Sequence, residues 1–287
     1  MVKVKTAFLI VAIFLATQLL GLYVGTQFLA EIEAGNQEPA FEDPDNISNS
    51  FLLFVYIIVT TVAILLLVKF WKPSLRVLEA LVIFVPSWIT FEFTIPILIP
   101  IGNWVFSLGF FLAIALTAWK VLKPTILSQD VAAMIAGAGA GALLGASFGI
   151  VPSLVFLVLL CVYDFISVFV TKHMITLARE LTKRPMAFTI ASPHKFKKAK
   201  YFGPKGRKKR KRIHVFQLGV GDIVIPLMFS ISLLRSFTIV SSLLTIAGST
   251  IALLILIYHM SKHPRPLPAL PFITVGTLAG FVISMLV

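Results

Sequence analysis

Apolar residues along this chain gather into nine runs: Thr6 to Leu29, Phe51 to Val68, Val77 to Ile95, Asn103 to Val121, Val131 to Ile150, Ser153 to Thr171, Gly219 to Ser236, Ile239 to Met260 and Pro271 to Val287. Each is close to the ~20 residues that a helix needs to cross a hydrocarbon layer about 30 Å thick. The pattern predicts an all-α polytopic membrane protein with nine transmembrane helices and its termini on opposite sides. The first run follows Lys3 and Lys5, but it is too long for a signal-peptide core and has no clear small-residue cleavage site, so it reads as a true span.

The polar links test that count, because cytoplasmic links collect Lys and Arg. The N-terminus (Lys3, Lys5), the second link (Lys69, Lys72, Arg76), the fourth (Lys120, Lys123), the long sixth and the eighth (Lys262, Arg265) are basic. The first link carries Glu31, Glu33, Glu38, Glu42, Asp43 and Asp45 without a base, the third is Pro96 to Gly102, and the fifth is the Val151-Pro152 turn. This alternation predicts a cytoplasmic N-terminus and an extracytoplasmic C-terminus in a cell membrane. Arg235 is the exception, and a single Arg at a helix end snorkels to the interface.

Composition agrees with a bilayer as solvent: 58% of the residues are hydrophobic and 13% charged, against roughly 25% charged in soluble domains. The net charge of +13 would suggest nucleic acid if it were spread over a surface. It is local instead. Fifteen Lys and Arg against the single acid Glu180 lie between Lys172 and Arg212, and the rest of the chain is close to neutral. Membrane orientation, with contact to anionic headgroups, accounts for that run, and no nucleic-acid partner is expected. The chain divides into residues 1-172 with six spans, a basic cytoplasmic loop 173-214, and residues 215-287 with three spans, forming one bundle without a separate soluble domain. Gly137, Gly141, Gly145 and Gly149 recur every fourth residue in the fifth run and predict a close helix-packing stripe. Cys161 reads as a small buried hydrophobe. No nucleotide-binding loop, zinc-spaced Cys/His cluster or Gly-x-Ser-x-Gly elbow occurs, so neither metal nor cofactor is expected.

A carboxylate deep in a bilayer costs at least ~2.5 kcal/mol on insertion scales, so each one within a span needs a reason. Asp164 lies well inside the sixth run and Asp222 near the start of the seventh, on antiparallel neighbours that can bring them to similar depth. Two carboxylates in contact tend to share one proton. The ionised member can then activate water toward a peptide carbonyl while the protonated one donates to the developing oxyanion. An ion- or proton-coupled transporter or channel would also use such a pair. Gly219 and Gly221 allow close backbone approach beside Asp222.

The motifs separate these readings when taken together. Tyr163-Asp164 in the sixth run, Gly219-Val220-Gly221-Asp222 opening the seventh and Pro268-Ala269-Leu270 before the ninth stand in the order found in presenilins and signal peptide peptidases. The chain resembles that family of intramembrane aspartyl proteases over all nine runs, most closely an archaeal presenilin homologue. The resemblance implies catalytic roles for Asp164 and Asp222, with Tyr163, Gly219, Gly221, Pro268, Ala269 and Leu270 supporting the site. It also implies single-span transmembrane proteins as substrates, with no cofactor. The loop charges select the presenilin orientation over that of signal peptide peptidases. The sixth loop is shorter than in animal presenilins, which leaves self-cleavage open, and neither obligate subunits nor an oligomeric state is implied.

A helical substrate must be unwound before cleavage. Val215, Phe216, Gln217 and Leu218 are expected to offer a strand edge to it, as is the Pro-bounded stretch Leu267 to Leu270. Glu92, an intramembrane acid, reads equally as a functional residue, an outer-interface residue or a paired acid, and His259 and His263 as solvated residues. Pro226 should distort the first turns of the seventh run, because its ring crowds the carbonyl of Asp222.

Overall fold

The computed structural model describes residues 4–70, 74–101, 104–169, 189–191, 217–262 and 267–286. Among these residues there are nine α-helices: α1 (Val4–Glu33), α2 (Ser48–Phe70), α3 (Ser74–Thr94), α4 (Leu108–Leu122), α5 (Ile126–Ser147), α6 (Ile150–Phe169), α7 (Gly221–Ser232), α8 (Ile239–Lys262) and α9 (Ala269–Ser284). They match the nine apolar runs one for one. Five regions of 18 residues or more, in α1, α3, α5, α6 and α8, are long and apolar enough to cross a membrane by themselves. The chain is a multi-span membrane protein.

Two features correct the all-α expectation. Leu98–Ile101 (β1) and Trp104–Ser107 (β2) form an antiparallel hairpin with Ile101 opposite Trp104. The first residues of the fourth run are therefore strand, and α4 starts only at Leu108, capped by the Ser107 hydroxyl accepting from the Phe110 amide. Pro96 and Pro100 exclude continued helix on one side of this turn. The second feature is the pairing of Thr189–Ala191 (β3) with Gln217–Gly219 (β4), also antiparallel, at the approach to α7. The basic run from Lys205 to Arg212 lies outside the described residues, as do Val215, Phe216 and His263.

α7 is held between α1 and α5 by glycine notches. A methyl on Gly21 or on Gly141 would overlap the Leu227 side chain. One turn further, a methyl on Gly25 would come within 2.8 Å of Ile231 and one on Gly145 within 2.6 Å of it. Gly137 is less crowded, with Thr17 at 3.4 Å from the position of a methyl. Three of the four predicted stripe glycines thus serve as a packing face. Gly149 lies beyond the end of α5, against Asp45 of the first link.

Links one, five and seven meet at one end of the bundle. The Gly149 amide donates to the Pro44 carbonyl at 2.8 Å, the Ala40 amide to the Ser147 hydroxyl at 2.9 Å, and Phe41 stands edge-on to Phe148. Arg235 belongs to this cluster: its guanidinium donates to the Ala146 carbonyl at the C-terminus of α5. It caps helix carbonyls there, a favourable place for a cation, so snorkelling alone does not explain it. Near the other end, Lys120 is 1% exposed and its ammonium lies 3.0 Å from Glu79 of α3. Lys120 is consequently a buried partner of an acid and not a loop charge as its sequence position suggests.

The notches make a graded prediction. Gly141→Val and Gly145→Val should each lower stability by about 1–3 kcal/mol through overpacking, whereas Gly137→Ala should be nearly neutral, as read by thermal unfolding in detergent.

Candidate active site

Asp164 lies on α6 five residues before its described end, and Asp222 is the second residue of α7. The helices run antiparallel, and the two carboxyl groups are close enough to interact electrostatically. Asp222 is anchored from its own strand: the Gly219 amide donates to its Oδ2 at 3.2 Å. The backbone amide of Leu270 interacts with the Asp164 carboxyl, while Asp164 Oδ2 is buried and has no hydrogen-bond partner among the described residues. Each aspartate is thus tied to a separate backbone segment, and one buried carboxylate oxygen remains open.

The Pro268-Ala269-Leu270 segment reaches the site through the start of α9. Pro268 is the N-cap in an extended conformation (φ −65°, ψ 125°). Leu270 is 4% exposed and packs with Phe156 and Leu160 of α6 and Met228 of α7. This fixes the Leu270 amide beside Asp164, one helical turn from Leu160. Ala269 packs against a different cluster that includes Ile10, Phe14 and Leu218. The expectation that Leu267 to Leu270 stays non-helical is corrected, because α9 begins at Ala269 and Pro271 falls in its first turn, where a missing amide costs nothing.

The two glycines around Val220 differ. A methyl on Gly219 would stand 3.2 Å from Asp222 Oδ2, whereas one on Gly221 would meet nothing within 4 Å. Neither has a positive φ. A side chain at Gly219 would crowd the carboxylate, whereas Gly221 borders open space. Tyr163 turns elsewhere, its ring edge-on to Phe54 of α2 with centroids 6.0 Å apart. Of the expected strand, Gln217 and Leu218 are indeed in β4, with Leu218 1% exposed, and one edge of that strand is already taken by Thr189–Ala191.

Glu92 is apart from the site. It accepts from the Trp88 indole at 3.0 Å near the end of α3, which favours its reading as an interface residue. A side chain overlooked in the sequence is Gln18, at the middle of α1 and 0% exposed. Its Nε2 donates to the Ile223 carbonyl at 2.9 Å, immediately after Asp222. As an uncharged residue in an apolar run it gives little hydropathy signal, although a buried amide needs a hydrogen-bond partner as much as a charge does.

The family model for "Signal-peptide peptidase, presenilin aspartyl protease" matches residues 11–287. The chain belongs to this family. It is by that membership an intramembrane aspartyl protease, of a family that acts on transmembrane substrates within the bilayer. Among solved structures it is similar to one of a presenilin family intramembrane aspartate protease in space group C222, with TM-score 0.67, 20% identity and 98% of both chains covered. A second, described in the same words in space group P2, gives TM-score 0.64 and 21% identity over 100% of this chain and 98% of the other. At these identities the likeness speaks for the shared fold. No curated protein matches the sequence significantly.

Because a methyl on Gly219 would crowd Asp222 Oδ2 and one on Gly221 would not, the two alanine variants should separate. Gly219→Ala is expected to slow cleavage of a reporter peptide more than Gly221→Ala does, with both melting within a few degrees of the parent protein.

Proposed function

We propose that the chain cleaves single-span transmembrane proteins with Asp164 and Asp222 as its catalytic pair. The observation that carries this reading is that the two carboxyls lie within electrostatic reach of one another, each beside a separate backbone amide, in a bundle where isolated carboxylates are costly. The ionised aspartate takes a proton from water as that water attacks the scissile carbonyl. Its partner, protonated, donates to the oxyanion; the first aspartate then passes the proton it took to the departing amine, while the partner recovers its own from the collapsing diol. The open Oδ2 of Asp164 supplies an acceptor for that water. Asp222 is the better-held partner through Gly219.

In this reading the β3–β4 sheet receives the substrate. One outer edge of β4 is filled by Thr189–Ala191, so an unwound substrate adds to the edge that remains. Main-chain pairing makes recognition tolerant of side-chain sequence. The enzyme acts without obligate subunits, as one bundle with the basic 173-214 loop between its two catalytic parts. It lies in the cell membrane with its N-terminus and basic loops in the cytoplasm. The clustering of links one, five and seven at one end is consistent with that alternation.

Asp164→Asn and Asp222→Asn should each reduce cleavage of a purified single-span reporter in liposomes to background. Persistence of cleavage in either variant would exclude a paired-carboxylate mechanism, and ion flux without cleavage in the parent protein would favour a transporter. The parent rate should fall on both sides of an optimum, since neither the doubly protonated nor the doubly ionised pair is competent. For the strand, bound substrate should slow hydrogen exchange at residues 215–218. Unchanged exchange there would remove the strand-addition step.

A further inference from the structure

The first turn of α7 is weakly fixed by its own backbone. Pro226 lies inside this 12-residue helix, where it withholds an amide from the Asp222 carbonyl and crowds it. The N-cap, Val220, provides no side-chain hydrogen bond to the first turn. A turn so loosened depends on neighbouring helices for its position, and a bond to the carbonyl next to the one left unserved can supply that hold. Across from this turn stands Gln18 of α1, fully buried, with Nε2 donating at 2.9 Å to the carbonyl of Ile223. Its Oε1 is buried and has no hydrogen-bond partner. A buried amide with an idle acceptor is expensive, so the donor half is where its use lies. Thr17 lies opposite Gly137, and Val220 and Val224 line the same contact. α1 therefore touches the back of the α7 turn whose front carries Asp222.

We propose that Gln18 is a positioning residue for Asp222. Its amide fixes the rotation and depth of the first turn of α7 from behind, holding the carboxylate at the angle from which it meets Asp164. Gln18 touches neither substrate nor water. This rests on the reading of Asp222 as catalytic.

The test compares Gln18→Met, which keeps the length and removes the donor, with Gln18→Glu, a carboxylic acid that its apolar surroundings keep neutral and whose O–H can donate to the same carbonyl. Cleavage of a purified single-span reporter is measured in liposomes alongside thermal unfolding. Gln18→Met is expected to lower kcat about ten- to hundredfold with KM within about twofold of the parent value and a similar melting temperature. Gln18→Glu is expected to recover most of the lost kcat. A purely packing role would lower stability or raise KM without selective rescue by the donor. Parent-like kcat in Gln18→Met, or no recovery in Gln18→Glu, overturns the proposal. If Gln18→Met does not fold, Gln18→Asn keeps the amide but shortens its reach, and full kcat there would equally overturn it. Asp222→Asn is run beside them: cleavage by that variant refutes the catalytic reading itself, whereas an inactive Asp222→Asn with a fully active Gln18→Met refutes only the positioning role.

Discussion

Leu227 lies against two glycines, Gly21 of α1 and Gly141 of α5, and Ile231 one turn along lies against Gly25 and Gly145. Lipid tails are as apolar as leucine, so helices in a bilayer are not driven together by water, and contact has to be won by close fit. Here the fit depends on the absence of four side chains. With the notches filled, α1 and α5 would stand away from α7, Gln18 would lose the Ile223 carbonyl, and the Asp222 turn would lose its backing. The placement of the helix that carries Asp222 thus depends on small residues of its two neighbours.

The second organising demand is that polar groups in the bundle find partners. Lys120 meets Glu79, the Thr90 hydroxyl donates to the Ile135 carbonyl across α3 and α5 at 2.7 Å, and Ser153 and Ser232 hydroxyls lie 2.7 Å apart between α6 and α7. Asp164 Oδ2 is one of a few buried polar atoms without a hydrogen-bond partner among the described residues, and the only carboxylate oxygen among them. An open acceptor is costly in a purely structural setting and useful where water is to be held.

Much of this was legible in the sequence, for a physical reason. A membrane span must be apolar over its length, so nine runs announced nine helices, and acids within such runs stood out as exceptions. The order of Tyr163-Asp164, Gly219 to Asp222 and Pro268 to Leu270 identified the family. What escaped was whatever hydropathy does not distinguish. The strands at Leu98–Ile101 and Trp104–Ser107 are as apolar as a helix would be. Lys120 looked like a loop charge because its buried partner lies 41 residues away. Gln18 was hidden by lacking a charge, and its partner is 205 residues distant.

The shortness of α7 has a consequence for how the protein is made. Twelve residues give a helix of about 18 Å, well below the ~30 Å of a hydrocarbon core. β4 precedes it with backbone that a lipid environment would not tolerate bare. A translocation channel reading segments one at a time would find little in α7 to retain. Its insertion therefore leans on helices synthesised earlier, with the glycine-lined faces of α1 and α5 offering a berth for Leu227 and Ile231. The short helix that carries Asp222 arrives late in synthesis, after the two helices against whose glycines it packs.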